Sequence, residues 1–156
     1  MCDFRSLRIL LMVCANLLTI QTLSAQTAQP SARNRPAMIY DTARKHIVFF
    51  GGAAQTKSAP DGWEWQTDTW SWDGRQWKQL NESGPSTRAL PAMAFDSHRK
   101  KLVLFGGAQN DAALNDTWEW DGKLWRQVAK EGPPPRWGGQ LAYDSKRKKV
   151  VLFGGT

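Results

Sequence analysis

Two tryptophans flanking a carboxylate, Trp63-Glu64-Trp65, form the segment of this 156-residue chain best suited to ligand chemistry. Aromatic rings can stack on sugar rings or hold apolar side chains, while carboxylates hydrogen-bond hydroxyl and amide groups. Trp137, after Pro135-Arg136, is expected on the same edge of the fold. Trp63, Glu64, Trp65 and Trp137 therefore predict a binding site for a protein or a glycan. The alternative is that Trp63 and Trp65 only prolong a strand and pack there.

Residues suited to catalysis or metal binding are sparse. Both cysteines, Cys2 and Cys14, lie near the N-terminus, and the two histidines, His46 and His98, stand far apart without nearby ligand spacing. Because protein metal sites need several such ligands together, each histidine is interpreted as a solvated turn residue. The motifs of phosphate loops, zinc proteases and nucleophile elbows are missing too. The sequence predicts no cofactor, no metal and no catalytic residue.

Basic residues recur in one kind of turn. The chain has a formal net charge of +7, and residues 44–46, 99–101 and 146–149 are basic clusters at equivalent positions. Such a row could attract an anionic glycan, a lipid headgroup or an acidic protein. The simpler interpretation is that charged turns keep strands soluble and discourage edge pairing. Nucleic acid is not an expected partner.

A sequence repeat supplies the elements that position these residues. An apolar pair followed by two glycines occurs three times, and its glycines are Gly51-Gly52, Gly106-Gly107 and Gly154-Gly155. The first and second glycine pairs are 55 residues apart, and the second and third are 48 residues apart. The difference in spacing falls within residues 53–67. A long period of this kind is typical of stacked supersecondary units, and a local insertion predicts a loop.

Each unit is predicted to contain four short antiparallel strands. Residues 101–105 form a continuous apolar run typical of a buried strand, and residues 116–120 alternate with both tryptophans on one face. Asp73-Gly74 and Asp121-Gly122 are strong hairpin signals. The proline-rich residues 132–135 cannot extend a ladder and must link units. The predicted fold class is all-β, with about two and a half four-stranded antiparallel units.

The N-terminus has the composition of a signal peptide. Residues 1–25 combine a basic start, an apolar run over residues 9–20 and a polar end at Ser24-Ala25. The apolar run is too short for a membrane span. We therefore predict a secreted or periplasmic protein, and the alternative is a retained N-terminal anchor. The predicted organisation is a signal peptide at 1–25, a linker at 26–35, repeats at 36–83 and 84–131, and a half repeat at 132–156.

The third unit reaches Thr156 directly after its second predicted strand. Radially repeated sheets usually close with about four to eight units. The leading interpretation is a truncated or partial gene product. The alternative is self-assembly with further copies or a partner chain that completes the ring.

The motifs resemble those of kelch-type β-propellers. The resemblance covers residues 33–156 and rests on the paired glycines after an apolar strand, the Asp-Thr-Trp-x-Trp strand and the later tryptophan. It is similar to the bacterial secreted kind related to the central domain of galactose oxidase. The resemblance implies tight strand exits at the glycines, tryptophans packed between blades, and arginines at blade joints that bond backbone carbonyls. The residues with these implied roles are the six glycines above, Trp70, Trp77, Trp118, Trp125, Arg88 and Arg136.

The resemblance implies a binding platform, because kelch propellers are mainly platforms and only occasionally enzymes. Galactose oxidase activity does not carry over, since its copper site needs a cysteine cross-linked to a tyrosine as well as histidine ligands. The predicted function is a secreted, non-enzymatic module that binds a protein or a glycan. The alternative is a fragment of a kelch-propeller enzyme acting on sugars, an epimerase or oxidase with catalytic residues in other blades.

Overall fold

The computed structural model describes residues 28–60, 62–81 and 84–156, so the predicted signal peptide lies outside the described residues. Within them the chain forms thirteen strands. They are β1 (Arg33–Asn34), β2 (Ala37–Asp41), β3 (His46–Phe50), β4 (Ala53–Gln55), β5 (Trp63–Trp65), β6 (Thr69–Trp72), β7 (Trp77–Asn81), β8 (Ala92–Asp96), β9 (Lys101–Gln109), β10 (Ala112–Trp120), β11 (Trp125–Ala129), β12 (Gln140–Asp144) and β13 (Lys149–Phe153). No helix among the described residues is long and apolar enough to cross a membrane.

The strands assemble into blade-like antiparallel sheets in chain order. Blade 1 has the order β2-β3-β6-β7, blade 2 has the order β8-β9-β10-β11, and β12 with β13 forms a half blade. All three sheets fall within the ranges predicted for the repeats. The structure confirms the predicted all-β fold of two and a half units.

The first strands of the three units lie next to one another, because β8 contacts both β2 and β12. An apolar core fills the space between blades 1 and 2. Phe50 of blade 1 packs edge-on against Trp125 of blade 2, with ring centroids 5.5 Å apart, and Met93 and Phe95 complete the contact. Burial of these side chains removes apolar surface from water and holds the blades together.

Units 1 and 2 differ in the segment that follows the paired glycines, where unit 1 carries the insertion. In unit 2, β9 and β10 continue past the glycines to a tight turn at Asn110 and Asp111, whose φ values of 48° and 62° are typical of a two-residue hairpin turn. In unit 1 this extension is a separate sheet with the order β1-β4-β5. The predicted loop therefore contains two short strands. Arg33 and Asn34, which lie in the range predicted as a linker, form β1 and pair with β4.

One histidine differs from its prediction. His46 begins β3 and is partly buried, with its Nε2 atom 3.8 Å from Oδ2 of Asp41, so it is not a solvated turn residue. His98 lies in an exposed turn, as predicted.

Candidate functional site

A pocket of about 210 Å³ lies between the small sheet of unit 1 and the long hairpin of unit 2. Trp63 and Trp65 line one side of it, and Asp111 approaches from the β9–β10 turn. Asn34, Arg35 and Ala53 complete the lining. The pocket thus combines two aromatic side chains with one acidic, one basic and one amide side chain. This composition suits a ligand with an apolar face and polar edges.

The register of the small sheet brings the two tryptophans together. Trp63 pairs with Gln55 and Trp65 pairs with Ala53, so the two side chains project from the same face of β5. Trp63 is 36% exposed and Trp65 is partly buried. Ala53, which pairs with Trp65, also lines the pocket. The two tryptophans line the pocket from β5, which belongs to the small sheet and is separate from β6, the third strand of blade 1.

The other two predicted ligand residues do not line this pocket. Glu64 pairs with Ala54 and alternates with the tryptophans, so it occupies the opposite face of β5. Trp137 exchanges two backbone hydrogen bonds with Thr156 beside the half blade, at N···O distances of 2.9 and 3.2 Å. Of the four predicted ligand residues, Trp63 and Trp65 therefore line this pocket, and their role in binding stays a prediction.

Sequence reasoning missed the polar residues of the pocket. Asn34 and Arg35 fell in the range predicted as a linker, and Asp111 comes from another repeat. The pair Asn110-Asp111 was the available signal, because both residue types tolerate the left-handed conformation that a two-residue turn requires. Repeat alignment alone could not show that this turn reaches the first unit.

The arginines at the start of each unit form a recurring joint. The Nη1 atoms of Arg33, Arg88 and Arg136 donate to the carbonyl oxygens of the first repeat glycine, at 3.3, 3.0 and 3.1 Å, respectively. Arg88, whose side chain is fully buried, also forms two hydrogen bonds with the Asp116 carboxylate at 2.7 and 2.9 Å. Arg33 pairs in the same way with Asp68. The carboxylate partner was not anticipated from the sequence.

The aspartates of these joints have low pKa values. Burial alone would raise the pKa of Asp116, but hydrogen bonds from Arg88 and from Trp118 Nε1, together with the charge of Arg88, hold it below its ordinary value. The pKa of Asp68 is lowered in the same way by Arg33 and Trp70 against the opposing effect of burial. Both joints therefore hold ionised carboxylates at neutral pH.

The four predicted structural tryptophans differ in their contacts. Trp125 reaches across the blade interface, with its Nε1 atom 2.8 Å from Oγ1 of Thr69, and Trp118 packs against the core between the blades. Trp70 is buried and donates to Asp68. Trp77 contacts Phe49 and Trp72 within its own blade. Its position matches that of Trp125, but no blade among the described residues lies on that side of blade 1.

Within the part of the chain that the structure describes, no three His, Cys, Asp or Glu side chains come together in a way that could hold a metal ion. A second recess lies at the inner ends of the first strands. The inner recess is lined by the Pro-Ala-Met segments of units 1 and 2 and by Gly139 and Gln140 of the third unit.

The repeated four-stranded sheets, the paired glycines and the arginine joints together define a β-propeller of the kelch class. The family model of the KLHDC2/KLHL20/DRC7 kelch-repeats domain matches residues 4–156, nearly the whole chain. The chain therefore belongs to the kelch-repeat family, and this membership marks it as a protein-interaction module. The match begins within the segment predicted as a signal peptide. No curated protein matches the chain significantly.

Proposed function

We propose that this chain is an exported, non-enzymatic binding module that takes its ligand in the pocket between Trp63, Trp65 and Asp111. The observation that carries the proposal is the pairing of two tryptophans on one face of β5 with charged groups, Arg35 and Asp111, at the pocket margin. The export part rests on the composition of residues 1–25 and predicts a secreted or periplasmic location.

The pocket favours a protein ligand that inserts one apolar or aromatic side chain. Its volume of about 210 Å³ suits a single side chain or sugar ring rather than a larger cofactor. Kelch membership favours the protein over the glycan. Arg35 and Asp111 would then bind the backbone or neighbouring polar groups of the inserted segment. A glycan stacked on Trp63 is the alternative occupant.

The test compares wild-type protein with W63A, W65A and W137A. A random peptide library displayed on phage and a panel of immobilised polysaccharides serve as probes. We expect peptides to be enriched on the wild type, and their affinity to fall at least about tenfold in W63A and W65A, as for aromatic anchors of interfaces. W137A should keep the affinity, because Trp137 lies outside the pocket. Equal losses in all three variants, or enrichment of polysaccharides alone, would contradict a protein ligand in this pocket.

A second candidate is assembly with further copies of the chain. Phe153 and Val151 of the half blade are 83% and 53% exposed, whereas their counterparts in blade 2, Phe105 and Val103, are buried. Exposed apolar patches of this kind mark association surfaces. The opposite end presents Met38 and Tyr40, both more than half exposed. The alternative of a sugar-enzyme fragment stays a prediction, with no specific observation among the described residues to favour it.

A further inference from the structure

The same turn joins the first two strands in every unit, and it has the sequence Asp-x-x-Arg-Lys at residues 41–45, 96–100 and 144–148. The aspartate Oδ1 atom accepts hydrogen bonds from backbone N–H groups of the turn, at 3.0 Å in blades 1 and 2 and 2.9 Å in the half blade. Its Oδ2 atom pairs with the arginine three positions later, at 2.7, 2.6 and 2.7 Å. These contacts close the turn, and they explain why aspartate and arginine recur at these two positions.

Turn closure does not explain the lysine that follows. Lys45, Lys100 and Lys148 have φ values of 59°, 57° and 55°, a left-handed conformation that glycine, asparagine and aspartate adopt more readily. Their side chains are exposed. None of the three has an ion-pair partner within residues 28–60, 62–81 and 84–156. Neither a contact nor the backbone conformation therefore requires lysine at this position.

A second left-handed position in the same repeat provides an internal comparison. Arg35, Leu90 and Gly138 have φ values of 58°, 53° and 69° at equivalent places in the three units. Three different residue types occupy that position, so the repeat tolerates divergence where the backbone is left-handed. The recurrence of lysine in the turns thus points to a property of the side chain itself.

The three turns are held next to one another. Nη1 of Arg44 donates to the carbonyl oxygen of Lys100 at 3.2 Å, and its Nη2 donates to that of Asp121. Strand β12 of the half blade, which leads into its turn, contacts β8 of blade 2. Arg99 and Lys101 both pair with Glu119, so this nearby acidic group is already neutralised. The three lysines therefore extend from neighbouring turns, and none of the described carboxylates lies within ion-pairing distance of them.

We propose that Lys45, Lys100 and Lys148, here called the lysine row, dock an acidic segment of a protein partner. The row lies at the end of the blades opposite the tryptophan pocket, so it is a second surface beyond the proposed function. Each lysine ammonium group can pair with one carboxylate. The turns of adjacent blades place three such groups along an extended acidic segment. An acidic protein segment is the favoured occupant because the chain belongs to a family of protein-interaction modules. Because these charges are exposed, salt should weaken binding steeply.

The test uses fluorescein-labelled poly-glutamate and the triple variant K45N/K100N/K148N. Asparagine accepts the left-handed backbone more readily than lysine, so the variant should unfold at the same or a higher denaturant concentration. Its affinity for poly-glutamate should fall about tenfold at low salt, and the wild-type affinity should fall as salt is added. The matched control K57Q/K78Q/K130Q removes the same charge outside the three turns and should keep most of the affinity.

Two outcomes would overturn the proposal. Equal losses in the triple variant and its control would show that only net charge matters. Binding to heparin or to anionic phosphatidylserine vesicles, without binding to poly-glutamate, would exclude an acidic protein segment. If the triple variant fails to fold, the single variant K100E carries the same test, with weaker poly-glutamate binding as the supporting result and unchanged binding as the contradicting one.

Discussion

At the first glycine of the first two pairs, Gly51 and Gly106, the space for a side chain is occupied by the next unit. A Cβ atom on Gly51 would lie 2.6 Å from the carbonyl oxygen of Arg88, and one on Gly106 would lie 2.6 Å from that of Arg136. The second glycine faces the loop that precedes its own unit, as at Gly52, where the carbonyl oxygen of Asn34 lies 2.7 Å from the Cβ position. Gly51, Gly52 and Gly106 are thus required by close backbone approach as well as by positive φ.

A comparison of Gly106 with Gly154 separates the cost of steric contact from the cost of the positive φ. Their φ values of 61° and 71° are similar, but a Cβ atom on Gly154 meets nothing within 4 Å. We expect G154A to lower the free energy of unfolding by about 1 kcal/mol, the cost of the left-handed conformation. G106A should cost clearly more, because the Arg136 carbonyl must move as well. Urea unfolding of the monomer measures both, and equal losses would show that steric contact does not contribute.

At the scale of elements, an ion pair locks the start of each complete unit to its third strand. Arg88 precedes β8 and pairs with Asp116 in β10, while its own carbonyl oxygen accepts a hydrogen bond from Gly52 of blade 1 at 2.9 Å. One residue therefore connects two strands of its own unit and the preceding blade. Removal of the carboxylate would leave a buried guanidinium charge without its partner, which is strongly unfavourable.

The joint predicts a pH dependence. Because the pKa of Asp116 is lower in the folded than in the unfolded state, its contribution to stability is present above pH of about 4 and is lost as the pH falls through the folded pKa. D116N should reduce the free energy of unfolding at pH 7 by about 2 kcal/mol and flatten its decline between pH 5 and pH 2. Chemical denaturation across that range measures the effect.

The control for this experiment is E131Q, which removes an exposed carboxylate outside the joints. It should leave the stability at pH 7 nearly unchanged. If D116N retains the pH dependence of the wild type, the joint does not make the expected contribution.

At the scale of the whole molecule, the two end faces each expose apolar side chains. Met93 and Phe95 of blade 2 belong to the core shared with blade 1, and their counterparts Met38 and Tyr40 are exposed on blade 1. The half blade exposes Val151 and Phe153 on the side that faces away from blade 2. The self-assembly proposed above would use the contact between blades 1 and 2 as its template, joining two copies head to tail. Such heterologous contacts extend into rings or chains.

Sedimentation velocity tests this assembly with two variants, M38E and V151E. Each places a charge on one end face, so each alone should stay monomeric where the wild type associates. An equimolar mixture should form dimers only, because each variant keeps the face that the other has lost. V128E is the matched control, since Val128 is 52% exposed on the outer strand β11 and should not affect association. A wild-type chain that stays monomeric at all concentrations would exclude self-assembly.

Several features could be predicted because they depend on neighbouring residues. The alternation in residues 116–120, the Asp-Gly turns and the proline-rich link are local signals, and the structure has the strands and turns where these signals placed them. His46 was misinterpreted because its burial depends on the packing of Asp41 beside it, which no local pattern reports. Glu64 and Trp137 were grouped with Trp63 because the shared edge of a blade does not specify which face a side chain occupies.

The sequence by itself determined the all-β class, the number of units and the kelch family, because repeated short-range signals specify strands and turns regardless of the ligand. Only the tertiary structure decided which residues meet. It brought Asp111 of unit 2 to the tryptophans of unit 1, paired Arg88 with Asp116, and separated the turn arginines from the lysine row. The physical reason is that these contacts join residues distant in sequence, and their geometry follows from how one blade packs on the next.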